Sequence, residues 1–199
     1  MDKKISYLPT KIASYAGFFV QAIVNNFLPI LFIAIQDVYG IGYEKLGRLI
    51  MFNFLTQLVT DMLTPKIVGL IGYRKAAVMC QGVAAVGLSM LSFMPRIMPD
   101  AYTGIVISVM VYAFASGLME VILSPMVEML PTSNKSSNMS ILHSFYCWGQ
   151  AVTALVTTLL INRLGFINWT YIPLIWAVIP LINMFSFLKV PIIEPEPER

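Results

Sequence analysis

IVISVMVYAFASGLMEVILSPMV, residues Ile105–Val127, is a run of apolar and small side chains broken by one carboxyl, Glu120. About 20 residues at 1.5 Å each cross the ~30 Å hydrocarbon core of a bilayer. The run is long enough to do so, and a bilayer interior is the environment that suits it. Placing a charged side chain near the centre of a bilayer costs at least ~2.5–3.5 kcal/mol on insertion scales, so such an acid faces a bundle interior and serves a purpose.

The rest of the chain has the same character. Its 199 residues are 58% hydrophobic and 12% charged, with a mean hydropathy of +0.77, outside the range of soluble globular domains. Six stretches can be cut as spans: Ile12 to Gln36, Leu46 to Thr64, Lys75 to Phe93, Tyr102 to Leu130, Asn138 to Asn162 and Trp169 to Leu188. The first is too long for a signal-peptide core and lacks an A-x-A cleavage site. The expected fold is an all-α membrane protein, a bundle of six transmembrane helices over residues 1–190.

Basic residues orient the bundle, because positively charged loops stay cytoplasmic. With the N-terminus inside, Lys3, Lys4, Lys11, Lys66, Arg74, Lys75, Lys135, Lys189 and Arg199 are cytoplasmic, against Lys45, Arg48, Arg96 and Arg163 outside. The net charge of +3 thus reports topology and does not imply nucleic acid as a partner. Cys80 and Cys147 fall inside predicted helices and read as packing residues. The sequon Asn138-Met139-Ser140 falls at a cytoplasmic helix start, where glycosylation cannot act.

Polar residues recur at helical steps. Gly17, Gln21 and Asn25 share one face of the first span, with Asn26 and Pro29 just beyond. Asn53, Gln57 and Asp61 share a face of the second; Ala113, Ser116, Gly117, Glu120 and Ser124 of the fourth; His143, Cys147, Gln150, Ala154 and Thr157 of the fifth. The third and sixth spans are poorer in such groups. Helices 1, 2, 4 and 5 are therefore expected to surround a wet pathway while 3 and 6 meet lipid. The weak member is the third of each triplet, the pattern of a 3+3 inverted repeat. Pro29 and Pro125 each free a backbone carbonyl near the polar cluster, for a kink or for a ligand.

On these residues the chain resembles the N-terminal half of a major facilitator superfamily transporter, and within it the fucose permease-like group of proton-coupled sugar carriers. The matches are Asn25-Asn26 in the first helix, Gly117-Leu118-Met119-Glu120 followed by Pro125 in the fourth, and Leu142-His143-Ser144-Phe145 with Gly149 in the fifth. The resemblance implies that Glu120 is the protonatable coupling group and that Asn25 or Asn26 contacts substrate. A substrate-binding glutamine of the group falls at His143, and an acidic partner on helix 1 falls at Pro29. Of the superfamily's gating motif between helices 2 and 3, the end survives as Gly72-Tyr73-Arg74-Lys75. Asp61 stands upstream, where it can pair with Arg74 or dock on a helix N-terminus. Arg74 and Lys75 equally fit a plain positive-inside anchor.

A sugar's hydroxyls would then be met by Asn25, Asn26, Gln57, His143 and Gln150, with Tyr112 and Trp148 offering flat faces to its ring. His143 reads equally as a cavity donor or as a residue at the cytoplasmic mouth. No second His and no Cys pair at ligand spacing accompanies it, so neither metal nor cofactor is expected. The partners implied are a small polar substrate, a proton, the lipid bilayer and a second, C-terminal six-helix half. The terminal residues 191–199 resemble the start of the cytoplasmic linker that would lead to that half. The location implied is a bacterial cytoplasmic membrane, with both ends of the chain inside. The rival readings are a six-helix intramembrane hydrolase using Ser116 and the lone His, and a channel or accessory membrane subunit.

Overall fold

The computed structural model describes residues 6–194. Residues 195–199 of the expected linker lie outside the described residues, as do Lys3, Lys4 and Arg199. Helix α1 (Leu8–Ile30) and the short α2 (Phe32–Tyr39) form one broken span, bent by 47°. Pro29 accounts for the weakness, since it has no N–H to give the Asn25 carbonyl. Two residues later the ladder tightens, with the Leu31 N–H donating to Leu28 O at 2.9 Å. Gly40, at φ 65°, closes α2 in the left-handed conformation.

Helix α3 runs from Tyr43 to Ile97 over 55 residues. Straight, it would reach about 80 Å, more than twice a hydrocarbon core. It is not straight. Gly72 (φ 81°, ψ 163°) leaves the helical region, where L side chains are strained, and the chain reverses there. The proof lies at the first turn of α4 (Ala101–Glu128). The Tyr102 hydroxyl donates to Lys45 O at 3.1 Å, while Gly104 packs so tightly on the Met94 carbonyl that a Cβ would lie 2.6 Å from it. Lys45 and Met94 sit near opposite ends of α3, so its two limbs, residues 43–71 and 73–97, must lie side by side. Among the described residues four helices are long and apolar enough to cross a membrane, and the α1–α2 pair makes a fifth. Counting both limbs of α3 gives six spans.

Asp100 caps α4, accepting from the N–H groups of Tyr102 and Thr103 at 3.3 and 3.1 Å. The hydroxyl and N–H of Thr103 hold the Asp100 carboxyl below the usual carboxylate range. The stabilisation from that lowered value is present above the ordinary carboxylate range and is lost as pH falls through the folded value. Helix α4 is the hub, with Ile105, Val109, Ala113, Leu118 and Ile122 inaccessible to solvent, and it lies between α1 and α3. Helix α5 (Lys135–Leu164) packs on α1, and α6 (Tyr171–Lys189) packs on the second limb of α3. Close approach relies on glycine. A Cβ at Gly149 would lie 2.7 Å from that of Ala22 on α1, and one at Gly87 would lie 2.6 Å from the Tyr112 backbone nitrogen on α4.

Two expectations change. The third span does more than meet lipid: Ala76, Ala77, Cys80, Ala84, Leu88 and Leu91 are fully buried, while Val86 and Phe93 face outward. Cys80 packs as expected, but Cys147 is exposed. Asn138 is buried and held in place. It accepts from Lys11 Nζ at 3.1 Å and donates to Thr132 Oγ1 at 2.8 Å.

The reversal at Gly72 is braced by Glu194. Its carboxylate accepts from the N–H groups of Tyr73 and Arg74, at 3.1 and 3.2 Å, at the start of the second limb. Arg74 Nη1 in turn donates to the carbonyls of Phe187 and Leu188 at the end of α6, both at 3.2 Å. Glu194→Ala is expected to lower stability by about 0.5–2 kcal/mol, the range for a lost N-terminal cap. The measurement is the thermal midpoint of detergent-purified protein; an unchanged midpoint would mean that water serves the two N–H groups equally well.

Candidate functional site

Four helices converge on a cavity of about 420 Å³. Helix α1 contributes Phe18, Gln21 and Asn25; the first limb of α3, Phe54 and Gln57; α4, Glu120 and Ser124; α5, His143 and Tyr146. These are the spans with polar faces. The steps of four in sequence become vertical rows on neighbouring helices, each turned toward the same space.

Glu120 is the focus. One of its oxygens, Oε2, accepts from Gln21 Nε2 at 3.0 Å and from Gln57 Nε2 at 2.5 Å. One turn back along α4, Ser116 Oγ donates to Asn25 Oδ1 at 3.0 Å, with Gln57 Oε1 at 3.4 Å. Asn53 Nδ2 completes the group, donating to Asn25 Oδ1 at 3.5 Å. Three helices are thus joined by amide, hydroxyl and carboxylate groups around one acid. A second pair lies on α1 and α5, with Gln150 Nε2 donating to Asn26 Oδ1 at 3.2 Å. His143 borders the cavity and meets Phe18 edge-to-face, ring centroids 5.5 Å apart.

Among the expected substrate residues, Asn25, Gln57 and His143 therefore line one cavity with Glu120, and Asn26 and Gln150 bind each other beside it. Tyr112 and Trp148 do not join them. Tyr112 is 1% exposed, packed at the α4–α3 contact. Trp148 is 68% exposed on α5 and does not line the cavity. The expected gating group is divided as well. Arg74 is committed to α6 carbonyls, Lys75 is exposed, and Asp61 turns toward α4. Its Oδ1 would lie 2.9 Å from a Cβ on Gly117 and is buried with no hydrogen-bond partner.

Gln21 lines the cavity although the sequence places it on a polar stripe without a role, and Ser116, which the sequence offers as the nucleophile of the rival hydrolase reading, joins the same network. Gln21 stands one turn before Asn25, and that spacing was the available signal. Ser116 does not have the setting of a nucleophile. Its neighbours are amide oxygens, which do not serve as a base. Among the described residues no cluster of three His, Cys, Asp or Glu is arranged to hold a metal.

The sequence profile of the family described as Major Facilitator Superfamily matches residues 13–199. Sequence comparison with curated proteins finds no match. Among solved structures, the chain is similar to the crystal structure of a D-xylose–proton symporter, with a TM-score of 0.79 at 15% identity over 94% of this chain and 49% of the other. The xylose transporter XylE from E. coli, in its inward open conformation, gives 0.75 at 14% identity over 94% and 48%. The POT family transporter PepTSo gives 0.67 at 19% identity over 96% and 39%. At these identities the likeness is one of fold, and the chain spans about half or less of the length of each.

Proposed function

The chain belongs to the major facilitator superfamily, whose members are transporters and not enzymes, and from that premise we propose that it forms the N-terminal half of a proton-coupled carrier of a sugar or similar small polar solute. The observation that carries this reading is the cradle of Glu120. A carboxyl facing a cavity between membrane helices, with two amide N–H groups aimed at one oxygen, can hold charge when deprotonated and release it when protonated. The surrounding Asn, Gln and His groups offer donors and acceptors of the kind that hydroxyl-rich solutes need.

Within the superfamily we assign the chain to the fucose permease-like group, on Asn25-Asn26, the Glu120–Pro125 spacing and the His143 region. The N-terminus and residues 191–199 are read as cytoplasmic, on the bias of basic residues. The cavity is flanked by exposed apolar residues: Met51, Phe54, Leu55 and Leu58 on the first limb of α3, and Phe145 and Trp148 on α5. A second six-helix half covering these flanks would close the cavity and allow alternating access. Trp148 would then contact that half and not the solute.

The test is uptake into liposomes containing the complete transporter, with labelled L-fucose, D-galactose, D-glucose and D-xylose. Expected is saturable accumulation of at least one of them, driven by an acid-outside gradient and collapsed by a protonophore. Non-saturating flux indifferent to the protonophore would favour the channel reading instead.

A further inference from the structure

The acid that Glu120's network leaves unused is Asp61, half-buried, with one oxygen, Oδ1, shut off from solvent. It lies one turn beyond Gln57 on the first limb of α3, in the direction of Gly72, while Gln57 itself donates to Glu120. Its Oδ1 is buried against Gly117 of α4, three residues before Glu120, and has no hydrogen-bond partner. A carboxylate oxygen shut off from solvent is as a rule paired with a cation or held by donors. No cation answers this one: the ion pair found among the described residues is Arg48–Glu44 at the other end of the limb, and Arg74 is occupied by α6. The charged group that acts on it is Glu120 from α4, whose charge repels its own. His143 of α5 and the amides of Gln21 and Asn25 of α1 line the neighbouring cavity.

We propose that Asp61 is a second proton-carrying group, exchanging a proton with Glu120 along the route between the cavity and the Gly72 end of the bundle. Two neighbouring carboxylates without a cation favour one shared proton over two charges. In the transfer, the O–H bond on Glu120 breaks as one forms on Asp61, directly or through one water. Glu120 is left as the carboxylate, with the Gln21 and Gln57 N–H groups to receive its charge, and the pair carries one negative charge before and after. Gly117 is what permits the approach, because any side chain there would fill the space that Asp61 Oδ1 occupies.

The inference rests on the proton-coupled reading, and the experiment separates the two. The complete transporter in liposomes is assayed with the same four labelled sugars, for exchange at equal pH and for accumulation under an acid-outside gradient. Asp61→Asn is nearly isosteric and forfeits no hydrogen bond at Oδ1, so exchange should stay close to that of the unsubstituted protein. Accumulation should fall by at least about tenfold, the low side of what a proton-transfer group contributes. Asp61→Glu, which restores a carboxyl, should recover it, and Asp61→Asn combined with Glu120→Gln should be no worse than Glu120→Gln alone. Full accumulation by Asp61→Asn alongside a defective Glu120→Gln overturns the relay and leaves the coupling reading standing. Full accumulation by Glu120→Gln overturns both. Loss of exchange together with accumulation in both Asp61 variants makes the residue structural and overturns the relay.

Discussion

Glu120→Gln in the complete transporter is expected to keep sugar exchange and to lose uphill, pH-driven uptake. The glutamine has the same length, and its carbonyl oxygen can still accept from Gln21 or Gln57 where the carboxylate accepts from both. The three helices therefore stay joined and the cavity keeps its shape. What disappears is the group that can change charge. A gradient of one pH unit is worth about 1.4 kcal/mol per proton, or about a tenfold concentration ratio when one proton accompanies each sugar. In the variant that ratio should collapse to equality at every imposed gradient, while counterflow of labelled sugar continues. Uphill accumulation at the unsubstituted rate would remove Glu120 from the coupling step.

Gly117→Ala is expected to disable the protein by a different route. A Cβ at this position would lie 2.8 Å from Thr60 Cβ, 2.9 Å from Asp61 Oδ1 and 2.9 Å from the Gln57 carbonyl oxygen. One of the three is backbone, so the first limb of α3 must retreat from α4 as a body. Overpacking of this kind costs about 1–3 kcal/mol, enough at 1.4 kcal/mol per decade to depress a functional conformation by about fivefold to a hundredfold. The retreat also draws Gln57 away from Glu120, so exchange and accumulation should fall together, unlike in Glu120→Gln. Gly69→Ala is the matched control, since it stands on the same limb with nothing within 4 Å of its would-be Cβ. A lowered thermal midpoint in Gly117→Ala but not in Gly69→Ala checks the account; equal midpoints would contradict it.

Much of the site was legible before any coordinates, for a simple reason. Gln21 and Asn25, Asn53 and Gln57, and Ser116 and Glu120 fall at steps of four, and a helix turns such steps into one face whatever its neighbours do. Lipid then dictates that the polar face points inward. Aromatic residues carry no such constraint, because Trp and Tyr are at home in lipid, in cores and at interfaces alike. Trp148 and Tyr112 therefore suit a cavity by chemistry alone and stand outside it.

Long-range pairing was the other blind spot. Asp61 and Arg74 look close in sequence, but the helix continues through Pro65 to the break at Gly72. That places them on opposite sides of the reversal, Asp61 on the first limb against α4 and Arg74 at the start of the second, held by α6. A proline inside a membrane helix forfeits one hydrogen bond without ending the helix, so the expected stop after Thr64 did not occur. The resemblance that assigned Glu120 its role pointed to Pro29 for a second acid, and the acid beside Glu120 came from another helix.

The reversal at Gly72 also bears on how this bundle can move. A single residue of non-helical backbone leaves no slack between the two limbs, and the Glu194 and Arg74 contacts clamp the corner to the end of α6. A tilt of the first limb would therefore carry the second limb and α6 with it. The compliant joint lies at the opposite end, at the Pro29–Leu31 break, where α2 can pivot while the lever behind it stays stiff.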